Sequence, residues 1–354
     1  MDKIKEINRI KIGILSPSNV AFRRFLPAIK SSDKFDYIGV AIASADEWSK
    51  DMDDRIYASI LEREKTKANN FCTNFGGKIF YSYENLLMSD EINAIYIPLP
   101  PGLHHRWAKL ALEYGKHVLL EKPFTTNLAN TKEIIKLAKK SNLALHEDYA
   151  FCFHNQVKVI QEMLNSGEIG ELRQIRAAFG FPYRSAVDFR YNKEFGGGAL
   201  LDCAGYPVKL ASLLLGETVK IVAGSLKAAK GHEVDVFGSA TLINDEYITC
   251  QIAFGMDNSY KCELEVWGSE GCIFAPRIFT PPADMKPTIV IKKQDETAIE
   301  TPMDDQFLGS VEHFYSCVSD VSIRIKTFKE IERQSRMIDN IRTLSSKIEM
   351  MSSE

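Results

Sequence analysis

The sequence predicts a two-domain protein of the α/β class. Residues 1–146 form a parallel-sheet domain, and residues 147–354 form an α+β domain with a large, mostly antiparallel sheet. Three observations predict this. Through the first half, short apolar runs alternate with helical patterns, the order of a parallel β-α-β sheet. From Thr218 onward short alternating strands follow one another, separated by turns such as Asn244-Asp245 and Gly268-Ser269-Glu270-Gly271. The chain is also long enough, at 354 residues, to fill two cores.

Bulk properties narrow the function classes. A net charge of −3 gives no electrostatic footprint for nucleic acid or an anionic membrane, so neither is expected as a partner. No apolar run reaches the length of a membrane span, and Met1–Arg9 is charged without a signal-peptide core. Seven cysteines, with no Cys-x-x-Cys pair, suit neither a disulfide framework nor a zinc module. They read as reduced side chains of a cytoplasmic protein.

Taken in order, Ile10–Leu15 is an apolar strand, Ser16-Pro17-Ser18-Asn19 a turn, and Val20 onward a helix through Phe25, Leu26, Ala28 and Ile29. Tyr37–Ala43 is the second strand. The charged stretch from Asp46 to Lys67 reads as a solvated amphipathic helix, and Glu84–Met88 as a short one. Ala94–Ile97 is a buried strand, broken by Pro98, Pro100, Pro101 and Gly102. A helix from His104 to Tyr114 is stopped by Gly115. His117–Leu120 is the next strand, and it runs directly into Glu121-Lys122-Pro123. Pro123 restricts Lys122 to an extended backbone. In open parallel sheets, ligands bind beyond such strand ends. A long helix over Thr125–Lys140 and a strand over Leu143–His146 complete the domain. His146, Glu147, Asp148 and His154 lie at no recognised ligand spacing, so no metal is expected there.

The strand ending in Glu121-Lys122-Pro123, preceded by Gly115-Lys116-His117-Val118, resembles the Gfo/Idh/MocA family of nicotinamide-dependent oxidoreductases. The resemblance extends over about residues 10 to 345. It implies a Rossmann dinucleotide-binding domain, and a lysine at Lys122 that touches substrate and nicotinamide. It further implies cofactor contacts from Ser16, Ser18, Asn19, Val20, Ser44, Pro100, His104 and Glu121. The family turn is usually Gly-x-Gly-x-x-Gly/Ala, whereas this chain has Ser16-Pro17-Ser18-Asn19-Val20-Ala21. Each serine adds a Cβ and narrows the approach to a pyrophosphate, and Pro17 removes a donor. The helix N-terminus still offers amides and a positive dipole end. An ordinary serine-rich turn without nucleotide is the alternative. Asp46 can accept from a ribose hydroxyl, favouring NAD. Ser44 with Lys50, Arg55 or Arg63 can hold a 2′-phosphate, favouring NADP. The cofactor is therefore NAD or NADP.

In the second half, Asn155–Gly167 reads as a helix, Arg173–Phe181 as a strand and Asp188–Tyr191 as a polar, aromatic loop. Gly196-Gly197-Gly198 opens a helix over Ala199–Leu215. On it Asp202 and Tyr206 are one turn apart and share a face. A lone aspartate in an otherwise apolar helix is costly unless paired. A capping aspartate beside a core tyrosine is the plain structural reading. The run from Gly196 to Tyr206 resembles the Asp-x-Gly-x-Tyr branch of the same family, which includes glucose–fructose oxidoreductase, with Ala204 where glycine is usual. Strands follow over 219–226, 234–242, 247–254, 260–266, 272–274 and 287–291, then helices over about 306–320 and 328–350.

The resemblance implies hydride transfer between a nicotinamide and a carbonyl or secondary alcohol of a sugar-like, possibly nucleotide-linked, small-molecule substrate. Tyr206 is the expected acid/base. Lys122 is expected to lower its pKa and polarise the substrate oxygen, with exchange of the two roles equally allowed. Asp202 would orient substrate or Lys122, and Arg190, Tyr183 and Tyr149 are expected substrate contacts. The resemblance also implies a homo-oligomer formed through the C-terminal sheet. Two other readings remain: a redox-neutral, nicotinamide-dependent glycoside hydrolase, and a non-enzymatic sensor or scaffold.

Overall fold

The computed structural model describes residues 9–48, 54–185, 187–228 and 231–351. The described residues divide into two compact units. The first holds residues through Phe124, then Ala129–Asp148 and Phe307–Ile331; the second holds Thr125–Leu128, Tyr149–Gln306 and the chain from Glu332.

The first unit is a six-stranded parallel sheet in the order β3-β2-β1-β4-β5-β6. Its strands are β1 (Ile10–Leu15), β2 (Phe35–Ala41), β3 (Lys78–Phe80), β4 (Ala94–Ile97), β5 (His117–Glu121) and β6 (Leu145–Asp148). The helices are α1 (Leu26–Ser31), α2 (Ala45–Trp48), α3 (Asp54–Phe75), α4 (Tyr83–Met88), α5 (Pro101–Glu113) and α6 (Leu128–Ser141). α6 begins in the second unit's short segment. β4 and β6 are buried along their whole length, as parallel strands are when helices cover each side, whereas the edge strand β3 is not. Ile12, Ile14, Tyr96 and Leu119 face one core, shared with Phe25 and Phe71. Leu15, Ile95, Val118 and Leu120 face the other, shared with Leu86, Trp107 and Ile134.

Some boundaries differ from the sequence reading. α5 starts at Pro101 rather than His104, because a proline is tolerated in the first turn, where its missing N–H has no partner to lose. His104 and His105 therefore lie within the helix. α3 is a helix, but Ala68 and Phe71 on one side are buried, so it packs on the sheet as well as facing water. β3 escapes the sequence reading because three residues are too few to show a period. Lys50 lies outside the described residues.

The second unit is built on an eight-stranded sheet in the order β14-β13-β12-β11-β7-β10-β9-β8. Its strands are β7 (Leu172–Gly180), β8 (Lys220–Ala228), β9 (Asp235–Ile243), β10 (Thr249–Gly255), β11 (Lys261–Gly268), β12 (Cys272–Ala275), β13 (Thr288–Lys292) and β14 (Glu296–Glu300). Only β7 and β10 pair in parallel; the remaining neighbours are antiparallel. One face packs on α7 (Asn155–Asn165), α8 (Ala199–Asp202) and α9 (Gly205–Leu215) through a core of Ile175, Ala177, Val208, Ala211, Ile252 and Leu264. The helix expected over Ala199–Leu215 is in fact two. Cys203 and Ala204 both return their amides to Ala199, 2.8 and 3.0 Å away, which closes the first helix before the second begins. β14 was missed because all five of its residues are exposed and show no alternation.

The chain closes with α10 (Gln306–Ser319) and α11 (Val321–Met351). α11 begins earlier than the sequence suggests because Asp320 caps it, accepting from the Ser322 amide at 2.7 Å. None of the seven cysteines forms a disulfide. Among the described residues, no helix is long and apolar enough to cross a membrane.

Candidate functional site

The predicted cofactor residues of the first unit lie at the C-terminal ends of its strands. β1 ends at Leu15, and Ser16 turns the chain with φ of 83°, a left-handed conformation that usually calls for glycine. The backbone needed for a tight phosphate turn is thus formed by a serine. Its hydroxyl is hydrogen-bonded to Tyr83. The Ser18 hydroxyl accepts the Ala21 amide at 3.2 Å and caps the helix that follows, keeping its own proton to donate. Asn19 at the head of that helix is exposed, and first-turn amides have no carbonyl one turn below them. The donors and dipole of this turn therefore fit an anionic dinucleotide bridge. Ser44, beyond β2, gives its amide to Glu47 Oε2 at 2.7 Å. Glu47 also accepts the Tyr83 and Glu84 amides and the Ser82 hydroxyl. Burial opposes ionisation of Glu47, but these donors together hold its pKa below the usual carboxylate value.

The turn around Lys122 is fixed on every side. The Lys122–Pro123 peptide is cis. The Pro123 carbonyl lies 2.9 Å from His104 Nδ1, and the Leu99 carbonyl 2.7 Å from His104 Nε2. His104 is fully buried, and burial lowers its pKa to about 4, with the Lys122 charge acting the same way. The neutral ring, with one N–H, donates to one of these carbonyls and packs between the Lys122-Pro123 turn and the loop before α5, where Pro100 stands at the helix N-cap. The next amide, of Phe124, donates to Glu147 Oε1 at 2.8 Å. Glu121 accepts from the Tyr96 hydroxyl at 2.6 Å. It stands in register with Asp148 of β6. Burial, and then the Glu121 charge, push the Asp148 carboxyl well above the usual range.

The second unit holds the other predicted residues. Asp202 is 8% exposed and accepts from Arg190 Nε at 2.8 Å. Arg190 also pairs with Asp188, 3.1 Å away. Burial works against the arginine cation, but Asp202 and Asp188 outweigh it and raise its pKa. The three glycines explain how this loop reaches the helix. A Cβ on Gly197 would lie 2.4 Å from the Arg190 carbonyl oxygen. The predicted role of Arg190 as a substrate contact thus meets a side chain engaged by two carboxylates.

Tyr206 packs edge-on to Tyr149, with ring centroids 5.4 Å apart. Phe179 and Phe279 flank it at 4.6 and 5.7 Å. Tyr149 is buried, and its hydroxyl fills the space that a Cβ on Gly205 would need. The pair Gly205-Tyr206 is therefore set by Tyr149. Tyr183 is 44% exposed, its ring 4.8 Å from Tyr191. The structure thus brings Asp202 together with Arg190, and Tyr206 together with Tyr149. Sequence reasoning missed Asp235, whose Oδ2 accepts the Leu200 amide at 2.6 Å and caps α8. It missed Glu47 and Glu147 as well, since both act on main-chain amides, which leave no pattern in the sequence.

Comparison with known proteins agrees with this architecture. Residues 35–149 match the model of the oxidoreductase family with an NAD-binding Rossmann fold, and residues 157–274 match the GFO/IDH/MocA C-terminal domain. A dTDP-3,4-didehydro-2,6-dideoxy-alpha-D-glucose 3-reductase from Actinomadura kijaniata is 33% identical over 344 residues, covering 97% of this chain and 98% of the relative. The Saccharopolyspora spinosa enzyme of the same name is 36% identical over 308 residues, 86% of each chain. A crystal structure of a 3-ketoreductase from A. kijaniata, in complex with NADP and TDP-benzene, superposes with a TM-score of 0.85 at 33% identity. It covers 95% of this chain and 98% of that one. With both domain models matched and a third of the residues shared along almost the whole length, the chain belongs to the Gfo/Idh/MocA family of NAD(P)-dependent oxidoreductases.

Proposed function

We propose that the protein uses NADPH to reduce a keto group of a dideoxysugar linked to thymidine diphosphate. The observation that carries this is end-to-end similarity to the 3-reductases acting on such a sugar, in a chain that carries Lys122, Asp202 and Tyr206. The preference for NADP is supported by the NADP in the solved relative.

When bound, the nicotinamide supplies the hydride, and the protein supplies the proton and the geometry. The Ser16–Val20 turn would hold the pyrophosphate through helix-end amides and the Ser18 hydroxyl. The bend beside His104 and Glu147 would present Lys122 just beyond the end of β5. From there its ammonium polarises the keto oxygen as negative charge develops. Tyr206 would pass its phenolic proton to that oxygen. Asp202, oriented by Arg190, would position substrate hydroxyls. Tyr149 would set the Tyr206 ring, while exposed Tyr183 offers an aromatic face to the substrate.

The protein is further proposed to be cytoplasmic and to assemble as a homo-oligomer through the outer face of the eight-stranded sheet. Exposed Phe237 and Trp267 on that face support the assembly.

The test is turnover of a TDP-linked keto-sugar with NADPH and NADH in parallel, in wild type and Lys122→Ala. Wild type should oxidise NADPH only when the ketone is present. Lys122→Ala should bind NADPH but lose turnover by about a thousandfold or more, the size of a lost electrostatic and proton-transfer contribution. Undiminished turnover in Lys122→Ala would remove that residue from the mechanism. Binding of neither reduced cofactor by folded protein would remove the reductase reading itself.

A further inference from the structure

Away from the Lys122 turn, β6 and α10 bring three metal-ligating side chains together within the first unit. His146 is the second residue of β6. His313 and Cys317 are one turn apart on α10, so they share a face. His146 Nδ1 lies 3.3 Å from His313 Nδ1, and His313 Nδ1 lies 3.5 Å from Cys317 Sγ. All three ligand atoms fall within 4.8 Å of one another. A tetrahedral zinc ion with ordinary bond lengths spaces two nitrogens by about 3.4 Å, and a nitrogen and a sulfur by about 3.6 Å. Two edges of the cluster already have these lengths.

The outer contacts of His146 point the same way. Its Nε2 is 2.8 Å from the Ser310 hydroxyl, which donates to Asp148 Oδ1 at 2.6 Å. Ser310 thus bridges His146 Nε2 and the Asp148 carboxyl. A ligating histidine is usually backed by such a relay to a carboxylate. One thiol with two imidazoles is a donor set suited to zinc. His146 and Cys317 are buried and His313 is half-buried, so the ion would enter from the His313 side.

We propose that His146, His313 and Cys317 bind one zinc ion that ties α10 to the edge strand of the parallel sheet, with a solvent molecule in the fourth position. On binding, the Cys317 thiol gives up its proton to solvent and the thiolate takes the metal. The signal was hidden in the sequence because His146 meets its partner 167 residues further along the chain.

The experiment titrates the chelator-treated, full-length protein with cobalt(II), which reports a thiolate ligand by a charge-transfer band in the near ultraviolet. No substrate or nicotinamide is involved. Wild type should show the band saturating at one equivalent, and zinc should displace it. Cys317→Ser should lose the band. Ser310→Ala should keep it while weakening affinity about 10–100-fold. His313→Gln, at the half-buried position, serves as a second ligand variant if Cys317→Ser fails to fold. Folded wild type without a band, or a band unchanged in the folded ligand variants, would overturn the site and leave a hydrogen-bonded chain ending on Asp148.

Discussion

Arg190 is what allows Asp202 to be buried. The sequence shows the difficulty, an aspartate in an apolar helix, but not its solution. The arginine approaches from a loop that only the close passage at Gly197 brings within reach. Removing the arginine should leave a carboxylate in a largely apolar setting. Arg190→Ala is expected to destabilise the protein by about 3 kcal/mol, the lower end for a broken buried pair because the arginine side chain is 20% exposed. Arg190→Lys should recover only part of this, since an ammonium cannot pair with Asp188 and Asp202 through a planar fork. Urea unfolding of the three proteins measures both, and equal midpoints would refute the pairing role. A second prediction concerns His117, whose Nδ1 accepts the Ala144 amide at 2.9 Å and so must be deprotonated at that nitrogen. Burial, aided by Arg324, lowers its pKa to about 4. Between about pH 6.5 and 4 the unfolded chain binds a proton that the folded one refuses. The stability contributed by the neutral ring is complete above that window and is lost as pH falls through it. His117→Asn keeps an acceptor for Ala144 and does not titrate, so its stability should fall less steeply than wild type over this range. Parallel profiles would exclude the histidine.

At the scale of elements, the turn after β1 shows where reading glycines fails. A glycine in a sequence signals a left-handed backbone, but its absence does not exclude one. Ser16 adopts φ of 83° because β1 and the capped helix fix the chain on either side. Ser16→Gly should therefore be tolerated: it relieves about 1–2 kcal/mol of left-handed strain but gives up the hydroxyl contact to Tyr83 and some unfolded-state restriction. Ser16→Val places a β-branched residue where it is a true outlier, and should cost about 2 kcal/mol or more. Fluorescence titration with NADPH should show near-normal affinity for Ser16→Gly and a large loss for Ser16→Val. Comparable affinity in both would show that the turn does not cradle the cofactor. The strand-end residues Glu121-Lys122-Pro123 were readable because a buried run leads straight into them. The break at Cys203-Ala204 was not, because both residues suit a continuous helix.

At the scale of the whole molecule, the two sheets differ in how plainly the sequence announces them. The parallel sheet appears as short, mainly apolar runs without alternation, clearest in β4 and the middle of β5, which are covered on both faces. The larger sheet appears as alternation: along β11, Cys262, Leu264 and Val266 are buried, while Lys261 and Trp267 are exposed. That alternation also defines an outer face. Trp267 pairs with Gln174 of β7, which pairs with Thr249 of β10, which pairs with Ile243 of β9, so all four side chains belong to one side of the sheet. Phe237, an even number of residues from Ile243 on β9, lies on the same side. Trp267 is 55% exposed and Phe237 48%, large apolar side chains open to solvent in this unit. Single exposed apolar residues are ordinary, but two aromatics on one sheet face suit a self-complementary contact between copies of the chain. Trp267→Lys replaces a large anchor by a charge that a two-fold contact would bring near its own copy. Light scattering coupled to size exclusion should therefore show wild type as an oligomer, and Trp267→Lys as a smaller species with an unchanged circular dichroism spectrum. A wild-type monomer would refute assembly altogether. An oligomer unaffected by the substitution would move the contact to another surface.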